Sequence, residues 1–137
     1  VRDPAGPWDR EVLGDAATRR GHEPDAVRSG PYVFHSGLSA SDRVHGLAPE
    51  ARVDAAFPFH DDPARREMQV IVDRLGAFGD LVPLRRRVLT PDLSRLAAMD
   101  AVWTGAFGPC PTTPLSVTAP LPIPATSVLV DCVSWVG

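Results

Sequence analysis

The alternation of apolar and polar positions divides most of the chain into short elements. Tyr32-Val-Phe-His-Ser36 carries aromatic and β-branched residues between Gly30-Pro31 and Gly37, the signature of a strand. Asp62-Pro63 opens a helix, with a capping carboxylate and then proline in the first turn. Met68, Ile71, Val72, Leu75 and Phe78 follow in steps of three and four, which predicts one apolar face before Gly79 stops the helix. Leu81–Leu89 reads as a strand. Thr90-Pro91-Asp92 repeats the capping pattern ahead of a second helix with Leu93, Leu96, Met99, Trp103 and Phe107 on one side, ended by Gly108-Pro109. Two more strands are expected near Thr113–Thr118 and Ser127–Val136. The order is strand, helix, strand, helix, strand, strand. Both helices need one sheet face to cover. The chain is too short to cover the other face, which must meet solvent or another subunit.

The remainder is less patterned. Residues 1–25 are polar and broken by Pro and Gly. They read as an N-terminal arm or linker, or the tail of a preceding domain, with residues 26–137 as the folded domain. WDREVLGDAATRR is compatible with a short helix bearing Trp8, Val12 and Leu13, interrupted by Gly14. Residues 38–62 form a long connection with a second short strand near Arg43–Leu47. The chain starts at Val1, which leaves it open to being part of a longer polypeptide.

Composition narrows the function classes. The 137 residues fit one domain with a moderate core. A net charge of -3 argues against a general nucleic-acid binder. No apolar run approaches the roughly 20 residues that span a bilayer, and no secretory signal is visible. The expectation is a cytoplasmic protein. All 14 basic residues are arginine, which removes lysine Schiff-base chemistry. Cys110 and Cys132 make neither a disulfide framework nor a zinc signature. Cys110, between two prolines, reads as exposed and Cys132 as core. His60-Asp61-Asp62 reads as a solvated loop and helix cap, so no metal site is expected.

One residue breaks the apolar pattern. Asp131 lies inside the last strand, sharing a face with Leu129, Val133 and Trp135 while Val130 and Cys132 point the other way. Burying an unpaired carboxylate is expensive, so it either pairs, titrates upward, or meets solvent in a cleft. It is a candidate general acid/base; an ion pair at a subunit contact is the competing explanation. Within Arg85-Arg86-Arg87, alternation sends Arg86 to one face and its neighbours to the other.

The segments YVFHSG, REMQVIVDRL, VLTPDLSRLAAMDAVWTGAF, PCPTTPLSV, the LP of APLPIP and VLVDCVSWV, in this order, resemble the RidA/YjgF family of imine and enamine deaminases (the endoribonuclease L-PSP group) over about residues 26–136. The resemblance implies an α+β fold like bacillus-type chorismate mutase. In it, two helices pack on one sheet face and three subunits form a trimeric barrel with clefts between them. It also implies hydrolysis of a reactive imine or enamine to a ketone and ammonia, with no metal or organic cofactor. The family's water-handling glutamate falls at Asp131. The arginine that grips the substrate carboxylate in a Pro-Ala-Arg loop falls at Thr113, within Pro111-Thr112-Thr113. The cleft asparagine of the second helix is Asp100, the cysteine two residues after the arginine is Leu115, and the serine of the Ser-Gly pair is Ser36. Tyr32 lies too close to Ser36 to be the family's first-strand tyrosine.

A guanidinium holds a carboxylate with two parallel hydrogen bonds, and threonine offers one hydroxyl. The substrate class is therefore expected to differ from the family's usual one, unless Arg86 or Arg87 supplies the missing charge. The expected protein is a homotrimeric hydrolase with a small molecule in an inter-subunit cleft, catalytic Asp131, and Ser36, Thr113, Asp100, Arg86 and Arg87 as substrate contacts. The alternative is a non-catalytic protein of the same fold that binds a small metabolite or serves as a scaffold subunit. Nuclease activity, suggested by the group's other name, ranks third because the chain is acidic.

Overall fold

The computed structural model describes residues 10–13, 26–40, 46–52, 62–117, 121 and 126–136. It is an α+β protein. Six strands form one sheet: β1 (Arg10–Leu13), β2 (Ala26–Ser29), β3 (Tyr32–Leu38), β4 (Val82–Thr90), β5 (Thr112–Ser116) and β6 (Leu129–Trp135). Helices α1 (Asp62–Gly76) and α2 (Leu96–Phe107) follow β3 and β4. The strand order is β1-β2-β3-β6-β4-β5. All neighbours are antiparallel except β4 and β5, which α2 connects as a parallel pair. Parallel neighbours need such a crossover. The last strand, β6, lies between β3 and β4 at the centre of the sheet.

The helical periodicity carries over into packing. Met68, Ile71, Val72 and Leu75 of α1 and Met99 and Trp103 of α2 are buried in one core with Val33, Val88, Val130 and Cys132 of the sheet. Phe78, just past α1, is partly buried and meets the His35 ring edge-on at 5.2 Å. Leu93 departs from the expected stripe and is exposed. Residues Leu93–Arg95 wind as a 3-10 turn, because the Asp92 side chain accepts from the Ser94 backbone N–H and holds the turn away from the core.

The short helix expected over residues 8–20 is contradicted at Arg10–Leu13; the rest of that segment lies outside the described residues. Arg10–Leu13 is a strand paired with Ala26–Ser29, itself a strand that local pattern did not single out. Gly14 already weakens a helix there, and pairing with a neighbouring strand overrides the remaining propensity. The expected strand near Arg43–Leu47 and the His60-Asp61 pair lie mostly outside the described residues. Among the described residues, no helix is long and apolar enough to cross a membrane.

Glu67 anchors the entry to β6. It is buried on α1, and its Oε1 accepts from the Ser127 N–H at 2.7 Å while Oε2 accepts from the Ser127 hydroxyl. Burial raises its pKa, opposed by the two Ser127 hydrogen bonds. A folded-state pKa raised above the unfolded value contributes stability that is full below the unfolded pKa and lost as pH rises through the folded pKa. The stability of the wild type relative to Glu67→Gln is therefore expected to decline from acidic to neutral pH. Denaturant titrations of both proteins across that range check the slope. Glu67→Ala, which leaves Ser127 unpaired, is expected to cost about 1–3 kcal/mol.

Candidate active site

The helix-free face of the sheet carries an open groove of about 600 Å³, crossed by β3, β6, β4 and β5. Its polar centre is Asp131. Antiparallel register sets Arg87 of β4 directly opposite Asp131 of β6. The Arg87 Nε and Nη2 groups donate to Asp131 Oδ2 at 3.1 and 2.5 Å. On the other side the Gly37 backbone N–H donates to Oδ1 at 2.9 Å. Gly37 sits in an irregularity of the β3–β6 register between His35 and Leu38, with φ +67°, a conformation that favours glycine. That kink aims a backbone donor at the carboxylate. Asp131 keeps 25% of its side chain exposed, so the anchored acid still meets the groove.

Parallel register places Thr113 of β5 beside Arg87. Ser36 and Thr113 both line the groove, so Asp131, Arg87, Ser36 and Thr113 are brought together. Apolar residues flank them: Phe34 and Val133 on one side and Leu115 on the other.

Arg86 and Asp100 form a different cluster. The Arg86 side chain points under the sheet and is only 3% exposed. Its Nε donates to Thr112 Oγ1 at 2.8 Å, its Nη2 is paired with Asp100 of α2, and the guanidinium lies 4.7 Å from the centre of the Trp103 ring. Strand alternation separates Arg86 from Arg87 as the sequence indicates. Neither the Arg86 guanidinium nor the Asp100 carboxylate shares the face of Asp131. Asp100 ties α2 to the sheet.

Other reactive side chains are held in unreactive states. Burial pushes the Cys132 thiol up to about 11 and also raises that of Cys110. Neither forms a thiolate readily. His35 is buried on the helix side, and desolvation lowers its pKa to about 4. It faces away from Ser36, which leaves no Ser–His pair. Among the described residues, no three metal-ligating side chains come together.

Two contributors escaped sequence reasoning. The Gly37 N–H depends on the strand irregularity, and its trace is only the glycine itself. Arg85 lines the groove on the same side as Arg87, as the i, i+2 spacing of the arginine run could have signalled.

No protein-family model matches the sequence, and no curated protein matches it. Solved structures do. The yeast protein Mmf1 has a TM-score of 0.68 at 11% identity, covering 94% of this chain and all (100%) of its own. RidA from an Antarctic Psychrobacter has a TM-score of 0.63 at 20% identity, covering 90% of this chain and 97% of its own. Rv2704 from Mycobacterium tuberculosis, a member of the YjgF/YER057c/UK114 family, is 26% identical with a TM-score of 0.60, covering 93% of this chain and 100% of its own. The fold of this chain is that of the YjgF/RidA proteins. Within the YjgF/RidA fold, the last strand at the sheet centre is what puts Asp131 beside donors from two different neighbouring strands.

Proposed function

We propose that this chain is a divergent member of the YjgF/RidA family and that it hydrolyses a small imine, enamine or related electrophile held over Asp131. The reading rests on one observation. A partly exposed carboxylate in an otherwise apolar-flanked groove is fixed from both sides, by the Gly37 N–H and by Arg87, and still faces the space where a substrate would lie. A carboxylate so placed can orient a water molecule against a C=N carbon. As the C–O bond forms, Asp131 accepts a proton from the water and passes it toward nitrogen. The carbinolamine then collapses, the C–N bond breaks, and ammonia leaves with formation of the ketone. General acid–base help of this kind typically contributes about 10²–10⁴-fold. The step requires no metal or redox partner.

Ser36 and Thr113 supply hydroxyls at the groove wall. Arg87 offers a fixed charge next to the position the family resemblance assigns to the loop arginine. In this reading Asp100 and Arg86 act from beneath the sheet, by holding β4, β5 and α2 together. The homotrimer belongs to the same proposal. Phe34, Leu115 and Trp135 stand exposed on the helix-free side, as expected of a face completed by a second copy.

The test is a competition assay. An amino-acid oxidase generates imines in situ, semicarbazide traps them, and the protein competes by hydrolysing them first. The expected result is a fall in trapped product with at least one imine. No fall with any imine, from a protein shown to be folded, overturns the hydrolase reading. The non-catalytic alternative draws on the same ion pair, since Arg87 and Asp131 also satisfy one another. It predicts ligand-induced thermal stabilisation without turnover.

A further inference from the structure

His35 is a titratable side chain in an apolar position. It is 2% exposed, and among the described residues neither ring nitrogen has a hydrogen-bond partner. Phe78 meets the ring edge-on at 5.2 Å. Cys132, its register partner on β6, is a neutral thiol with a pKa of about 11, and its sulfur lies 3.5 Å from the Ser134 hydroxyl. Beyond Cys132 in the same row stands Arg86, engaged with Thr112 and Asp100. On β2, Arg28 lies opposite Val33 and donates to the Gly30 carbonyl. At the end of α1, Arg74 donates to the Ser39 carbonyl and Asp73 accepts from Gln69. Among the described residues no carboxylate pairs with His35. Burial alone lowers its pKa from 6.5 to about 4. A neutral imidazole is tolerated in this place, whereas a buried, unpaired imidazolium is costly.

The position of His35 in the strand gives that cost a direction. The β3–β6 ladder is regular up to the His35–Cys132 pair, breaks immediately after it, and resumes at Leu38–Val130. Gly37 lies in the break, and its N–H holds Asp131 Oδ1. Across this interval the His35 ring anchors the strand from below, and the Gly37–Asp131 bond anchors it from above. Local opening starts where few bonds hold the backbone. An imidazolium reaches water by lifting this end of β3, and the same motion takes the Gly37 N–H away from the acid.

We infer that His35 is a positioning residue for Asp131: as a neutral imidazole it seats the end of β3 and aims the Gly37 N–H at the carboxylate, and as an imidazolium it releases both. The groove is thereby armed at neutral pH and disarmed in acid. The sign follows from linkage. A base whose pKa is lower in the closed form than in the open form supports closure fully above its ordinary pKa, and that support is lost as pH falls from 6.5 toward 4. The inference rests on the proposed hydrolase reading only for its catalytic meaning, and the latch itself is measured without turnover.

Hydrogen exchange of the Gly37 amide, followed by NMR from pH 7.5 to pH 5 and corrected for intrinsic exchange, tests it. In wild type the protection factor is expected to fall about 30-fold, the linkage of one imidazole with a pKa of 6.5 when open and about 4 when closed. His35→Phe keeps a ring against Phe78 and cannot be protonated, so its Gly37 protection is expected to stay level; His35→Leu serves the same purpose where phenylalanine does not fit. The Val130 amide, at the sheet centre, is expected to keep its protection throughout. Four results overturn the inference: a flat wild-type profile, the same fall in the folded variants, a parallel loss at Val130, or an imidazole that titrates near 6.5 in the folded protein by its Cε1 chemical shift. In the competition assay at matched pH, kcat of wild type relative to His35→Phe is expected to drop between pH 7.5 and pH 5. A His35-dependent latch in a protein that hydrolyses no imine upholds the inference and removes the hydrolase reading. Hydrolysis whose pH profile is unmoved by His35→Phe does the reverse.

Discussion

Asp131→Asn is expected to lower kcat for imine hydrolysis by about 10²–10⁴-fold, the range of general acid–base contributions. Asparagine keeps the shape and can still accept the Gly37 N–H through its carbonyl oxygen. The second oxygen becomes an amide nitrogen, which turns donors toward the donors of Arg87. The variant thus loses the proton acceptor and releases Arg87 together. Folding should survive. Arg87 is 54% exposed, and solvent-screened pairs of this kind contribute about 0–1 kcal/mol. Single-turnover kinetics with a denaturation curve separate the two effects. An unchanged kcat in a folded variant rejects Asp131 as the water-handling acid.

Trp103→Ala should give the largest loss of stability, about 3–5 kcal/mol, the range for truncating a fully buried aromatic. Trp103 heads the fully buried side chains by volume, and it packs beneath the Arg86 guanidinium. Truncation opens a cavity and removes the aromatic face from a buried cation whose polar side-chain partners among the described residues are Thr112 and Asp100. A domain stabilised by about 5–15 kcal/mol loses a large part of its margin through such a change. Trp103→Phe separates volume from polarity. Among the described residues the buried indole N–H has no hydrogen-bond partner, so its removal offsets part of the lost packing. Urea denaturation is expected to place Phe much nearer wild type than Ala. Equal losses for the two would show that contacts specific to the indole, and not cavity volume, control the site.

Much of the architecture was legible because it depends on local periodicity. Steps of three and four marked the faces of α1 and α2, and alternation put Asp131 and Cys132 on opposite sides of β6. The same rule separated Arg86 from Arg85 and Arg87. It did not indicate that Asp100 would be engaged with Arg86 on the helix side. That meeting depends on how α2 crosses the sheet. β1 and β2 escaped for a related reason: each is four residues long, too short for a period to stand out, and each is defined by its partner.

The sequence by itself determined the two amphipathic helices, the faces of the central strands, and the presence of one carboxylate among apolar neighbours on the uncovered side. Tertiary structure alone decided what that carboxylate meets. Gly37 is 94 residues away along the chain and Arg87 is 44, and both reach Asp131 because β6 inserts between β3 and β4. Side-chain direction is a property of successive φ and ψ angles, so it can be read locally. Strand order and register come from long-range pairing, in which the whole sheet settles at once, and they choose which arginine is held by the acid and which is left facing the groove.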